Sequence, residues 1–265
     1  MISTLLRSSA LFILLLQSSF ALSDDAVFSD RIYPCGHFFH GAQNEAVLLV
    51  LGDSNVTAAD VTPEAGVTNV FSMNPGNGLC YPATDPLAGS LAHKGSAWTR
   101  LANKMVKEKR YDRVLLVPVM LAKSSIADWK SDGKIFLRVK SLLASLSKQQ
   151  ISVTAVIWQQ GQGNDNSIGK PEDYVAAVKE LTLALRGIGL SSPIYSVVTG
   201  GCIGSNQGNV YAAQQQLSKE LEGVVFGPDL TDTSKFESAD CGLTLNGLAV
   251  YSYYWYEIFG KTPQP

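Results

Sequence analysis

The chain has 265 residues, of which 46% are hydrophobic, and a formal net charge of −2. This length and apolar content are enough for one globular domain with a large core. The near-neutral charge balance, with no run of lysine or arginine in the sequence, argues against nucleic acid or an anionic membrane surface as the main partner.

The N-terminus is typical of a secretory signal peptide. Arg7 precedes an apolar core from Ala10 to Leu16, and small residues follow that core ahead of Asp24. The core is too short to span a bilayer unless it stays uncleaved as an anchor, and a buried N-terminal helix is the alternative interpretation. We therefore predict a signal peptide over residues 1–23, export to the periplasm or the medium, and a single domain without a membrane span over residues 24–265.

Strand-like and helix-like stretches alternate along the mature chain. In chain order they are Ala46–Leu51 (strand), Ser96–Lys109 (helix), Arg113–Met120 (strand), Lys134–Leu146 (helix), Val153–Trp158 (strand), Pro171–Arg186 (helix), Pro193–Thr199 (strand), Val210–Glu220 (helix), Gly223–Phe226 (strand) and Asn246–Phe259 (helix). Repeated strand–helix units predict an α/β fold, a flavodoxin-like three-layer α/β/α sandwich with a central parallel sheet. The stretch from Val56 to Gly95 is rich in Gly, Pro and Asn, and is predicted to be a long loop that faces the ligand.

Polar residues follow several of the predicted strands, where α/β sheets bind their ligands. The first strand ends in Gly52-Asp53-Ser54, a tight turn that would lift a serine hydroxyl out of the sheet. Lys123, Gln160-Gly161 and Cys202 follow later strands, and Asp240 precedes the last helix. We expect these residues to meet at one edge of the sheet.

The four cysteines are an even number in a chain with an export signal, which makes disulfide bonds the default. They are Cys35, Cys80, Cys202 and Cys241, spaced too widely for a zinc motif. Three pairings are possible, and we favour Cys35–Cys80 with Cys202–Cys241 because each joins loops in the same part of the chain. The sequence predicts no metal site and no cofactor.

Five blocks in a fixed order carry a family resemblance. They are Gly52-Asp53-Ser54-Asn55, Asp85-Pro86-Leu87 with Gly95-Ser96-Ala97-Trp98, Ser124–Trp129, Trp158-Gln159-Gln160-Gly161, and Asp240–Gly247. Through these blocks nearly the whole mature chain resembles the SGNH-hydrolase superfamily and, within it, the sialate O-acetylesterase-like carbohydrate esterases. Gly-Asp-Ser alone is a weak signal, whereas the ordered set is a strong one.

The resemblance implies an SGNH-hydrolase fold and a site for a small-molecule or carbohydrate ester. Ser54 matches the nucleophile, although a serine at a strand-to-helix turn also serves as an ordinary helix cap. Gln160 matches an amide that donates to the oxyanion of the tetrahedral intermediate. Asp53, Asn55 and Gly161 belong to the same oxyanion and loop set.

Three departures from the family pattern fall on the catalytic loops. Lys123 stands where the family usually has glycine, and Gln162 stands where a glutamate is expected. Gly242 occupies the position of the general-base histidine, and Ala239 that of its aspartate partner, with Asp240 one position off. A serine hydroxyl is inert near neutral pH without a base, so these losses predict impaired or lost catalysis.

The chain offers few replacements for the missing base. Its only histidines are His37, His40 and His93, all in the N-terminal half, and each is more easily explained as a loop histidine. Lys123 is the other candidate, because a buried lysine with a lowered pKa can activate serine. Two functions stay open: a hydrolase of carbohydrate acetyl esters with impaired catalysis, and a catalytically silent protein that binds a glycan or an acylated ligand. The oligomeric state is not predicted.

Overall fold

A computed structural model of the chain describes residues 32–39, 44–53, 62–88, 90, 95–121, 124–161, 168–199, 208–230 and 242–260, and the backbone of 57–58 and 261. The predicted signal peptide, residues 1–23, lies outside these ranges and stays a prediction. The described residues all belong to one compact unit, Ile32–Pro265.

The elements alternate along the chain much as the sequence predicts. The described strands are β1 (Tyr33–Pro34), β2 (Glu45–Gly52), β3 (Thr57–Ala58), β4 (Val70–Met73), β5 (Leu79–Pro82), β6 (Gly95–Ser96), β7 (Arg113–Met120), β8 (Ala155–Gln159), β9 (Ile194–Val198) and β10 (Val224–Asp229). The described helices are α1 (Ala97–Lys107), α2 (Lys134–Lys148), α3 (Pro171–Gly187), α4 (Gly208–Glu220) and α5 (Leu245–Lys261).

The main sheet has eight described strands in the order β1-β5-β4-β7-β2-β8-β9-β10. Strands β4, β7, β2, β8, β9 and β10 are mutually parallel, whereas β5 pairs antiparallel with both β4 and β1. Strand β2 lies between β7 and β8, with Leu48 level with Leu116 on one side and Ala155 on the other. The chain thus adds strands on both sides of β2, and the switch point lies at the carboxyl end of β2.

The α/β sandwich is confirmed, with one correction to its sheet. The sheet is mixed rather than wholly parallel, and β4 and β5 lie within the stretch from Val56 to Gly95 that the sequence predicted to be a loop. Val70–Met73 is fully buried, but it is only four residues long. The Gly, Pro and Asn residues around so short an apolar run obscure its periodicity.

Both faces of the sheet are buried, which explains the unbroken apolar run of β2. Alternate residues Val47, Leu49 and Leu51 enter the core shared with α2, α3 and α4. Their neighbours Ala46, Leu48 and Val50 enter the core shared with α1 and α5. A one-residue register shift would exchange these two sets, so the pairing of β2 is strongly specified. No helix in the described ranges is long and apolar enough to cross a membrane.

The aromatic residues of α5 mostly pack against the sheet. Tyr251, Trp255 and Phe259 are buried, and they recur at the spacing of one helix face. The Trp255 ring lies 6.3 Å from the ring of Tyr195 on β9, and Tyr251 lies 5.6 Å from Trp98 on α1. This aromatic layer fixes α5 against the sheet.

Cys35 and Cys80 form a disulfide bond that joins the N-terminal segment to β5. This confirms the first of the two preferred pairings; Cys202 and Cys241 lie outside the described residues. The Gln149 side chain adds a second tie, because its Oε1 accepts a hydrogen bond from Gly36 N at 3.0 Å and its Nε2 donates to Gly78 O at 3.3 Å. The end of α2 and the strand β5 are therefore held to the same N-terminal segment.

A buried carboxylate anchors the start of α1. Asp85 Oδ2 accepts from Ser96 N at 2.9 Å and from Glu64 N at 3.3 Å, and Oδ1 accepts from Thr99 Oγ1 at 2.5 Å. Ser96 in turn caps the helix, because its Oγ accepts from Trp98 N at 3.0 Å. Burial raises the pKa of Asp85 above its ordinary value of 3.8, although the hydrogen bonds from Thr99 and the two backbone N–H groups oppose this.

The Asp85 pKa predicts a specific pH dependence of stability. Because the folded protein holds this proton to a higher pH than the unfolded chain, the Asp85 contribution to the free energy of unfolding decreases as pH rises from about 4 through the raised pKa. The slope is at most about 1.4 kcal/mol per pH unit. Urea unfolding of the parent and of Asp85→Asn between pH 4 and pH 7 measures it as a difference, and equal slopes in the two proteins would contradict the prediction.

Candidate active site

Asp53 lies directly after β2, at the switch point where α/β sheets bind ligands, and it is fully buried. Its Oδ1 accepts from Ser124 N at 3.1 Å and from Ser124 Oγ at 2.8 Å. Its Oδ2 accepts from Gly161 N at 3.0 Å. One carboxylate therefore ties the turn after β2 to the loops that follow β7 and β8.

The Ser124 hydroxyl also accepts a hydrogen bond from the indole of Trp129. Trp129 Nε1 donates to Ser124 Oγ at 3.1 Å, and that hydroxyl donates in turn to Asp53. Trp129 is buried and packs edge-on against Trp158 of β8, with 5.0 Å between ring centroids. Hydrogen bonds linked in such a chain polarise one another, which strengthens each of them.

Gly52 permits the close approach of β2 and β8 at this edge. Its φ is +124°, and a Cβ there would lie 1.8 Å from Gln159 O. The approach lets Asp53 N donate to the same carbonyl at 2.5 Å. The backbone conformation alone therefore requires glycine at the start of the Gly-Asp-Ser turn. A Cβ would clash with Gln159 O, and the positive φ disfavours any residue with a side chain.

Gln160 bridges two loops through its side-chain amide. The side chain is buried, and its Nε2 donates to Ser124 O at 2.8 Å. Its Oε1 is buried without a hydrogen-bond partner among the described residues. The side-chain amide has two N–H donors, and the hydrogen bond to Ser124 O uses one of them. The second could donate to an oxyanion, so the role of Gln160 as oxyanion donor stays a prediction.

The backbone carbonyl of Gln160 accepts two further side chains. Tyr174 OH donates to it at 3.1 Å and Gln214 Nε2 at 2.7 Å, while Gln214 Oε1 accepts from Thr199 N at 2.8 Å. The peptide plane between Gln160 and Gly161 is consequently fixed at both ends. Gln214 was not predicted from the sequence, although it is a polar residue on the face of α4 that also carries Val210, Ala213 and Leu217.

A hydrogen bond between Tyr251 and Gln159 holds α5 to the carboxyl edge of the sheet. Tyr251 OH donates a short hydrogen bond to Gln159 Oε1. Burial raises the pKa of Tyr251 far above its ordinary value, so the phenol is the donor. Gly242 and Leu243, which are both buried, precede α5, so the helix that this pair ties to the end of β8 is the one that follows them.

The predicted site residues divide between described and undescribed parts of the chain. Asp53, Gln160 and Gly161 come together, and Ser124 joins them. Ser54, Asn55, Lys123 and Asp240 lie outside the described residues, as do Gln162, Ala239, His40 and His93. Gly242, at the position that the sequence analysis predicted for the general base, is described and buried; that role stays a prediction. No group of His, Cys, Asp and Glu in the described ranges could hold a metal ion.

His37 does not belong to this edge of the sheet. Its ring stacks on Tyr33 with 4.8 Å between centroids, and the adjacent Gly36 contacts Gln149 at the C-terminal end of α2. The chain runs from that helix end into the amino-terminal end of β8, whereas Asp53 lies at the carboxyl ends of the parallel strands. His37 therefore does not reach the carboxyl edge as a replacement base.

The family assignment rests on sequence. The profile of the family described as carbohydrate esterase, sialic acid-specific acetylesterase matches residues 49–234. The chain belongs to this carbohydrate esterase family. The match confirms the family resemblance; it spans the first four blocks and ends before the fifth, Asp240–Gly247. No curated protein sequence matches the chain.

Solved structures show the same fold at low identity. A protein from Arabidopsis thaliana is 18% identical with a TM-score of 0.68, covering 83% of this chain and 99% of that one. A carbohydrate acetylesterase from Xanthomonas citri is 14% identical with a TM-score of 0.51, covering 82% of this chain and 57% of that one. A psychrotrophic esterase from Pseudoalteromonas, bound to monoethylphosphonate, is 13% identical with a TM-score of 0.48, at 81% and 97% coverage. The first two support the α/β sandwich of this carbohydrate esterase family member.

The Asp53 carboxylate should be a large contributor to stability. In Asp53→Asn an amide N–H faces donors that now lack an acceptor, so we expect the free energy of unfolding to fall by about 3 kcal/mol. Asp128→Asn is the matched control, because Asp128 is an exposed acid that accepts only from Ser125 N among the described residues. It should lose about 1 kcal/mol or less. Urea unfolding measures both, and equal losses would contradict the assignment.

The backbone at Gly161 should tolerate no side chain. Its φ is +120°, and a Cβ would lie 2.5 Å from Val210 Cγ1 and 2.8 Å from Gln214 Nε2. We expect Gly161→Ala to destabilise the protein by about 3 kcal/mol, from strain and overpacking. Gly187→Ala is the control, because nothing lies within 4 Å of a Cβ there, and it should be neutral or stabilising by thermal unfolding.

Proposed function

We propose that the chain is an exported relative of carbohydrate O-acetylesterases whose carboxyl-edge site binds a carbohydrate acetyl ester and whose hydrolytic activity is strongly reduced or lost. One observation carries the proposal. The Asp53 network holds the loops that bear Gly-Asp-Ser and Gln160, while the general-base position is Gly242. The frame of the family's site is kept and its base is not.

The reaction that this frame would support is acyl transfer to serine. The Ser54 hydroxyl would attack the ester carbonyl, and the oxyanion of the tetrahedral intermediate would lie against backbone N–H groups and the second N–H of Gln160. The attack requires a group that takes the serine proton. Gly242 cannot take it, so only the contribution of binding and the oxyanion donors would remain, orders of magnitude below a complete site.

The second candidate function is ligand binding without turnover. The same observation favours it, because the contacts of Asp53, Ser124 and Gln160 keep the loops in place whether or not a base is present. A glycan or an acylated ligand would then occupy the cleft unchanged.

Export is part of the proposal. The order of charge and apolar residues in 1–23 supports it, and so does the Cys35–Cys80 disulfide, since such bonds persist in oxidising compartments. Release of the mature protein into the periplasm or the medium would place it where acetylated polysaccharides are accessible.

Ester hydrolysis by the purified mature protein tests the proposal. We expect the parent to hydrolyse 4-nitrophenyl acetate no faster than Ser54→Ala, and Gly242→His to raise kcat/KM at least tenfold. Because imidazole alone attacks this ester, Gly187→His is the control for a histidine placed in open surface. It should show no gain.

Other outcomes would redirect the proposal. Parent turnover that vanishes in Ser54→Ala would show that another residue serves as base, and loss of that turnover in Lys123→Ala would identify it. No gain in Gly242→His, together with detectable binding of an acetylated sugar by calorimetry, would favour the silent binding protein. If Gly242→His shows no gain and the protein binds no acetylated sugar, both functions are overturned.

A further inference from the structure

We propose that the exposed face of helix α2 is a docking surface for an anionic polysaccharide, separate from the carboxyl-edge site. The α2 sequence contains four cations and no carboxylate. They are Lys134, Arg138, Lys140 and Lys148, and all four are exposed. The whole chain has a formal net charge of −2, so this helix stands out against a net negative remainder.

The cations of α2 have no ion-pair partners among the described residues. The described ion pairs involve Arg100, Lys104 and Arg113 instead. The nearest acids in sequence are Asp128 and Asp132, both exposed. Asp128 accepts from Ser125 N, and Glu180 of α3 accepts from Ser131 Oγ at 3.5 Å. These three carboxylates lie before or beside the start of α2, near Lys134, and none of them forms an ion pair with an α2 cation among the described residues.

Two of the four charges are placed unfavourably for the helix itself. Lys134 stands at the first helical position with no acid in the first turn, where a cation opposes the macrodipole. Arg138 follows it at i+4, a spacing at which like charges repel. Lys148, in the last turn, is favourably placed. An anionic partner would offset the repulsion between Lys134 and Arg138.

The shape of the surface suits an extended partner. The middle of the outer face carries Leu137, which is 52% exposed, and the small residues Ser141 and Ala144. The cations lie around this low ridge. The helix is about 22 Å long, and it starts just after the Ser124–Trp129 segment, so a chain lying along α2 reaches the edge of the candidate active site.

The choice of a polysaccharide rests on the proposed function. Charge complementarity alone would also admit an anionic membrane or DNA. A membrane is disfavoured because Leu137 is the only large apolar side chain exposed on α2, too little to insert into a bilayer. Single-stranded nucleic acid is disfavoured because the outer face of α2 bears no aromatic side chain for base stacking.

Binding of labelled polygalacturonate to the full mature chain, followed by fluorescence anisotropy, tests the proposal. This polymer carries carboxylates and no acetyl ester, so its binding does not depend on hydrolysis. We expect affinity to fall steeply between 20 mM and 200 mM salt, since counterions are released on binding. Replacing Lys134, Arg138 and Lys140 together by Glu should weaken binding at least tenfold. Neutral dextran should not bind.

The matched control spreads the same charge change over other helices. Lys107, Lys179 and Lys219 are exposed residues of α1, α3 and α4, and replacing these three by Glu should weaken binding less than threefold. Circular dichroism confirms that both triple variants are folded. Equal losses in the two variants, or no binding by the parent, would overturn the α2 surface. Tighter binding of DNA or of phosphatidylserine vesicles, lost in the α2 variant, would overturn the polysaccharide as its partner.

The two proposals fail separately. Loss of polygalacturonate binding in the α2 variant is measured without any ester, and acetyl ester turnover in Gly242→His is measured without any polymer. An α2 variant that binds as the parent does would refute the docking surface and leave the esterase proposal untouched.

Discussion

The carboxyl edge of the sheet depends on the hydrogen bonds that the buried Asp53 carboxylate accepts, three of which come from described residues. The donors come from Ser124 and Gly161, which lie in loops after two different strands. A buried carboxylate is stable only where such donors satisfy it. The two loops are therefore held where their donors reach the Asp53 carboxylate. Gln160 and Trp129, which both hydrogen-bond to Ser124, are positioned by the same contacts.

This constraint also links the two halves of the molecule. On one face of the sheet, Gln214 and Tyr174 fix the carbonyl of Gln160; on the other, Tyr251 fixes the side chain of Gln159. Gln159, the last residue of β8, and Gln160, which follows it, thus anchor helices on opposite faces. The site is the place where both helical layers attach to the sheet, and its geometry follows from the packing of the whole domain.

Most of the fold was predictable because its parallel strands are continuous apolar runs and its helices are amphipathic. Arg113–Met120 is found with the predicted bounds, and the strand–helix alternation predicted that β2, β7, β8, β9 and β10 would be parallel, although it did not predict their order. Strands β4 and β5 were missed because each has four residues, too few to show a period. The site was predictable only in part. Motifs identified Asp53, Gln160 and Gly161, but the contacts of Gln214 and Tyr251 are tertiary, and no local spacing specifies them.

The surface charge shows a different limit of sequence reasoning. The cations of α2 are spread over fifteen residues, so no run of lysine or arginine marks them. Only the helix brings Lys134, Arg138 and Lys140 around one exposed ridge, with Arg138 and Lys140 on its opposite flanks. A neutral composition therefore does not imply a neutral surface, and the distribution of charge has to be taken from the fold.

The burial of Asp53 has a consequence for how such chains evolve. Its partners are the connections of the three central strands, so selection for folding alone is enough to retain Gly52, Asp53 and Ser124. The Gly-Asp motif can therefore be retained whether or not the chain hydrolyses esters. In a chain of this kind, its presence indicates the stability of the sheet edge and is not by itself evidence of catalysis.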